Sequence, residues 1–150
     1  MTSLWQRFFG GKKAEKSLLS GKRILTIEDS EIDRKIILKS LERKNCYVSI
    51  AFNGEEGIER ALKEKPDLII LDCGLPGISG PEVCKRIKRN ETTKDIPVVF
   101  LTSKDSPENI VSCYDLGAEI YLMKPISPKL LIKQIEAVLK EKGMSGGEGR

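Results

Sequence analysis

Five polar side chains stand at the ends of apolar runs, and their types suit one kind of chemistry. Asp72 closes the run Leu68-Ile69-Ile70-Leu71 and is followed by the Gly/Pro-rich stretch Cys73-Gly74-Leu75-Pro76-Gly77-Ile78-Ser79-Gly80. A buried strand that ends in a lone carboxylate and breaks into such a loop aims that carboxylate out of the end of a sheet. Three further apolar runs end in Glu28-Asp29, in Thr102 and in Lys124. Carboxylate oxygens are ligands for a hard cation. A hydroxyl and an ammonium group are suited to contacting an anion.

The elements that must position these groups alternate along the chain. Ile24-Leu25-Thr26-Ile27, Tyr47-Val48-Ser49-Ile50-Ala51, Leu68 to Leu71, Val98-Val99-Phe100-Leu101 and Ile120-Tyr121-Leu122-Met123 read as strands. Between them, Ile32, Ile36, Ile37 and Leu41 sit at helical spacing, and residues 55–64 form a second helical stretch. Pro81 opens a third helix with Val83, Cys84 and Ile87 inward, and Ser106-Pro107-Glu108 caps a fourth through Leu116. Pro128 begins a last helix with the apolar stripe Leu131, Ile135, Val138 and Leu139. Short apolar strands between amphipathic helices predict an α/β fold with a parallel sheet covered on both faces. Ligands of such sheets bind at the carboxyl ends of the strands, where the polar residues lie.

Composition narrows the classes. The chain of 150 residues is one domain's worth and contains no histidine, which removes most catalytic triads, most zinc sites and any internal phosphohistidine. Cys46, Cys73, Cys84 and Cys113 show no CxxC pairing and read as reduced structural thiols. No apolar stretch approaches the ~20 residues that span a bilayer, and the N-terminus lacks a signal-peptide core, so a cytoplasmic protein is expected. Of the net charge of +4, residues 1–23 contribute Arg7, Lys12, Lys13, Lys16, Lys22 and Arg23 against Glu15, leaving the remainder near neutral. No nucleic-acid surface is expected there.

With these elements in order, the chain resembles the receiver domain of two-component response regulators over about residues 22–142. The resemblance rests on Glu28-Asp29, on Asp72 to Gly80, on Ile96-Pro97-Val98-Val99-Phe100-Leu101-Thr102, and on Lys124-Pro125. It implies a flavodoxin-like, doubly wound sheet of five parallel strands in the order 2-1-3-4-5. It also implies that Asp72 is the phosphoacceptor, Thr102 and Lys124 contact the phosphoryl group, and Tyr121 is an aromatic switch. By the family's pattern Asp29, Asp72 and the backbone carbonyl of Gly74 bind a metal directly, Glu28 acts through water, and the bond before Pro125 is cis. Three carboxylates in one cleft repel, at roughly 4 kcal/mol per pair at ~4 Å and an effective dielectric near 20. Lys124 offsets one charge, and an oxygen-rich site without histidine favours Mg²⁺. The donor is expected to be a phosphohistidine on a sensor histidine kinase or histidine phosphotransfer protein. Phosphorylation is expected to turn Tyr121 inward and to remodel a surface that binds a downstream protein target.

Other readings of the same residues stay open. An aspartyl phosphohydrolase is disfavoured by Gly74, which stands where such enzymes generally carry a second Asp. A structural adaptor without phosphorylation would not need all five site residues. The expected protein is therefore a phosphoacceptor signalling domain, not an enzyme with an external substrate, and stands alone. Gly74 leaves an attacking water unobstructed, whereas Lys104 blocks or orients it; Ser103 is small enough to admit the phosphoryl group. Tyr121 also fits as a half-buried strand aromatic, and Cys73 as a small packing residue. Residues 1–21 form a basic extension in which Leu4, Trp5, Phe8 and Phe9 share a face at helical spacing. Such a segment is either disordered or docks through residues 1–20 on a partner or, weakly, on an anionic membrane. Residues 143–150 read as a flexible Gly-rich tail.

Overall fold

The structure, a computed structural model, describes residues 6–7, 17–103 and 117–148, with side chains placed for 17–103 and 117–143. The predicted fourth helix lies outside the described residues, as do Lys104 and Cys113. Five parallel strands form the body of a six-stranded sheet: β2 (Arg23–Ile27), β3 (Tyr47–Ala51), β4 (Leu68–Asp72), β5 (Val98–Thr102) and β6 (Ile120–Met123), with the short β1 (Gln6–Arg7) at its edge. Helices α1 (Glu31–Leu41), α2 (Gly54–Glu64), α3 (Gly80–Arg89) and α4 (Pro128–Glu148) connect or follow them. The parallel strands lie in the order β3-β2-β4-β5-β6, which is 2-1-3-4-5 when only they are counted.

Alternation along each strand divides the interior. Ile24, Leu68, Ile70, Val99 and Leu101 pack with Ile37 and Leu41 of α1 and Leu131, Ile135 and Val138 of α4. Leu25, Ile27, Ile69, Leu71, Val98 and Phe100 face Ala61 of α2 and Val83, Cys84 and Ile87 of α3. Strands buried on both faces must be apolar at successive positions, which explains the continuous runs of β4 and β5. Strand order reverses at β2, which has β3 on one side and β4 on the other. The carboxyl ends of β2 and β4 thus form the crevice where such sheets take ligands.

Two segments differ from expectation. Gln6–Arg7, within the expected extension, is a two-residue strand, β1, antiparallel to β3 at Val48 and Tyr47. An edge strand offers unpaired backbone groups, and a short antiparallel segment covers some of them. Leu4, Trp5, Phe8 and Phe9 lie outside the described residues. Leu19 is fully buried in the α1–α4 core, so packing begins within the expected extension. At the other end α4 continues over Gly143 to Glu148, across most of the expected tail. Glycine costs about 1 kcal/mol in a helix, which an established upstream helix tolerates.

Candidate functional site

The end of β2 carries Glu28 and Asp29 into the start of α1. Ser30 caps that helix, its Oγ accepting from the backbone N–H of Asp33 at 3.3 Å. Arg34, one turn into α1, donates from Nη1 to the carbonyls of Glu28 at 3.1 Å and Asp29 at 2.7 Å. Its guanidinium also lies 4.6 Å from the centre of the Phe52 ring. These contacts hold the acidic pair at the rim.

Asp72 ends β4, where the chain must turn sharply into α3. A Cβ on Gly80 would strike the carbonyl oxygen of Asp72, so the return of the loop past the strand end requires glycine. Gly77 adopts φ +71°, which also favours glycine. Ser79 then caps α3 by accepting from the N–H of Glu82. The N–H of Gly74 donates to Asp72 Oδ1 at 3.1 Å, which fixes the carboxylate rotamer.

From the other side, β5 and β6 end together, the N–H of Lys124 donating to the carbonyl of Thr102 at 2.7 Å. The Lys124-Pro125 peptide bond is cis. Lys124 reaches across the crevice, and its Nζ donates to Glu28 Oε1 and Asp33 Oδ2, both at 2.8 Å. Asp72 Oδ1 lies 3.4 Å from the same nitrogen. Thr102 is buried, and its Oγ1 donates to the carbonyl of Ser103 at 3.3 Å. Asp72, Cys73, Gly74, Thr102, Ser103 and Lys124 line a cleft of about 190 Å³.

The charges in this cleft are unevenly matched. Carboxylate oxygens of Glu28, Asp29 and Asp72 all lie within 4.8 Å of one another. Glu28 is fully buried and Asp72 nearly so, whereas Asp29 is exposed. Burial, with the neighbouring Asp72 carboxylate, pushes the Glu28 carboxyl up to about 8 against the pull of Lys124. Burial also opposes the charge of Lys124, but the hydrogen bonds to Asp33 and Glu28 and the nearby acidic charge hold its ammonium above the usual range. A buried carboxyl forced toward neutrality marks a site short of positive charge. Hard oxygen donors at this spacing fit a divalent cation such as Mg²⁺.

Tyr121 stacks on Phe100, with ring centroids 5.5 Å apart, and its hydroxyl oxygen is buried. The ring therefore already faces inward here. All five strand-end groups meet at one rim. Asp33 and Arg34 join them although sequence reasoning singled out neither. Their position in the first turn of a helix that starts at the acidic pair was the available signal, because side chains there lean back toward the helix start.

Comparison with known proteins agrees with this geometry. The model of the response regulator receiver domain matches residues 24–136. The phosphate regulon transcriptional regulatory protein PhoB of Pseudomonas aeruginosa is 38% identical over 128 residues, covering 85% of this chain and 56% of that protein. The alkaline phosphatase synthesis transcriptional regulatory protein PhoP of Bacillus subtilis is 38% identical over 119 residues, covering 79% and 49%. The chain thus spans about half the length of these relatives. Among solved structures, a CheY-like receiver domain protein of Methanospirillum hungatei superposes with a TM-score of 0.78 at 28% identity, covering 84% of this chain and 99% of that one. The expectation of no nucleic-acid partner draws no support from relatives named as transcriptional regulators. No helix among the described residues is long and apolar enough to cross a membrane.

Proposed function

The chain belongs to the response regulator receiver family of two-component systems, and on that premise we propose that Asp72 accepts a phosphoryl group from a phosphohistidine partner. The single observation that carries this reading is the juxtaposition of Lys124 with the acidic cluster, its Nζ 3.4 Å from Asp72 and 2.8 Å from Glu28. The partner is a sensor histidine kinase or a histidine phosphotransfer protein.

An Asp72 carboxylate oxygen attacks phosphorus. The P–N bond breaks, its electron pair leaves with the imidazole nitrogen, and an acyl phosphate remains on the aspartate. Asp29, Asp72 and the carbonyl of Gly74 would hold Mg²⁺, with Glu28 acting through water. When bound, Mg²⁺ would supply positive charge that offsets the carboxylates and the charge of the transferred group. Lys124 and the Thr102 hydroxyl orient those oxygens and stabilise their charge. Ser103 leaves room for the group. The product adds roughly −1.5 to −2 charge, which biases Thr102 and Tyr121 and with them a surface that binds a downstream protein.

Incubation with a small acyl phosphate and Mg²⁺ tests the reading. The intact protein should gain one phosphoryl mass, lost on removal of Mg²⁺ and in Asp72→Asn. An equal mass gain in Asp72→Asn would place the acceptor elsewhere. Steady hydrolysis of many phosphate esters would assign the cleft to a phosphohydrolase instead.

A further inference from the structure

Lys124 has three carboxylate neighbours, and they are not equivalent. Its ammonium hydrogen-bonds Glu28 and Asp33 at 2.8 Å each, whereas Asp72 stands off at 3.4 Å. In the proposed reaction Glu28 attends the cation and Asp72 carries the phosphoryl group. Asp33 has neither task, and it lies outside the trio of carboxylates gathered within 4.8 Å. Its place is set by α1: Ser30 caps its backbone N–H, and its side chain is only 19% exposed.

We propose that Asp33 is a positioning residue that holds Lys124 on the α1 side of the cleft, short of Asp72, and so restrains phosphoryl acceptance. The proposal rests on the phosphoacceptor reading above. A phosphoryl group on Asp72 presents new anionic oxygens that compete for the ammonium. As Lys124 shifts toward them, its pair with Asp33 lengthens. A partly buried carboxylate separated from its cation is unfavourable. Phosphorylation therefore exchanges one ion pair for another instead of simply gaining one. The contact also links the cleft to the first turn of α1, so displacement of Lys124 is felt by that helix.

Beryllofluoride, a phosphoryl mimic, provides the test, with binding to the full chain followed by titration at fixed, saturating Mg²⁺. Asp33→Asn keeps the side-chain size and should bind the mimic roughly fivefold more tightly than the wild type, the scale of one partly exposed ion pair. Asp33→Glu restores a carboxylate and should return toward wild-type affinity. Backbone amide spectra of each variant establish that α1 is intact. The decisive readout is a double-mutant cycle with Lys124→Ala, in which Asp33→Asn should no longer change affinity. Equal or weaker binding by Asp33→Asn, or a gain that persists without Lys124, would overturn the restraint. If the wild type itself fails to bind the mimic with Mg²⁺, the phosphoacceptor reading falls instead, and with it the basis of the proposal.

Discussion

Two carboxylate–lysine clusters sit at opposite ends of the sheet, and the sign of their imbalance separates a reactive site from a structural clamp. At the carboxyl end, among the described residues, Glu28, Asp33 and Asp72 share the ammonium of Lys124. At the amino end of β5, the lone carboxylate of Glu119 is approached by Lys88 at 3.5 Å and Lys142 at 3.8 Å. Glu119 also accepts from the N–H of Val98 at 2.6 Å, and Lys88 donates onward to the carbonyl of Ile96 at 2.7 Å. There two ammonium groups face one carboxylate, and both also donate to backbone carbonyls. Among the described residues, the first cluster holds more carboxylates than ammonium groups.

Opposite signs of response to losing a carboxylate should expose this contrast. Glu119→Ala removes the acceptor of a buried strand N–H and a counter-charge of a mostly buried lysine. It should destabilise the domain by about 2–4 kcal/mol, read as a lower urea midpoint. Asp72→Asn without divalent ions removes one like charge while the amide oxygen can still accept from Gly74. It should stabilise by about 1 kcal/mol. If both substitutions destabilise equally, the two clusters are not different in kind.

The acidic cleft should also make stability depend on pH in a direction unusual for a carboxylate. Glu28 titrates near 8 in the folded chain and near 4.5 when unfolded. Its folded value is raised, so its contribution is fully present below pH 4.5 and is lost as pH rises through 8. Thermal melts without divalent ions should therefore show stability declining across that window relative to Glu28→Gln. Added Mg²⁺ should offset the decline, because a cation replaces the proton as the partner of the acidic groups. A wild-type profile identical to that of Glu28→Gln would contradict the raised titration of this carboxyl.

How much of this was legible beforehand follows the range of the interactions. The parallel strands were readable because burial on both faces demands apolar runs, and Asp72 and Thr102 prove to be the last residues of β4 and β5. The strand-end groups were readable because the end of a strand fixes where its side chain emerges. Asp33 was not, since its role depends on the angle at which α1 leaves the rim and on a lysine 91 positions away. Glu119 was missed for the same reason: its partners lie on α3 and α4. The strand at Gln6–Arg7 was not legible, because the pattern of Leu4, Trp5, Phe8 and Phe9 reports side-chain periodicity. It says nothing of an open sheet edge elsewhere in the chain.

The smallest effect concerns the thiols, and it tests whether the rim opens more readily than the interior. Burial pushes the thiols of Cys46 and Cys84 up to about 11, and both are fully buried in the packed layers. Cys73 lies one residue past Asp72, in the loop that lines the cleft. Thiolate is the reactive form, so at pH 8 the two interior cysteines combine a low thiolate fraction with no access. Alkylation there requires local unfolding of the core, whereas Cys73 needs only displacement of its loop. Among these three cysteines, site-resolved labelling should find Cys73 modified first, with Cys46 and Cys84 at least about tenfold slower than in urea. Mg²⁺ should slow Cys73 further and leave the other two unchanged, since it ties down the rim alone. Labelling of all three at one common rate would mean that the cleft and the core open together, and the distinction between the two ends would not extend to their motion.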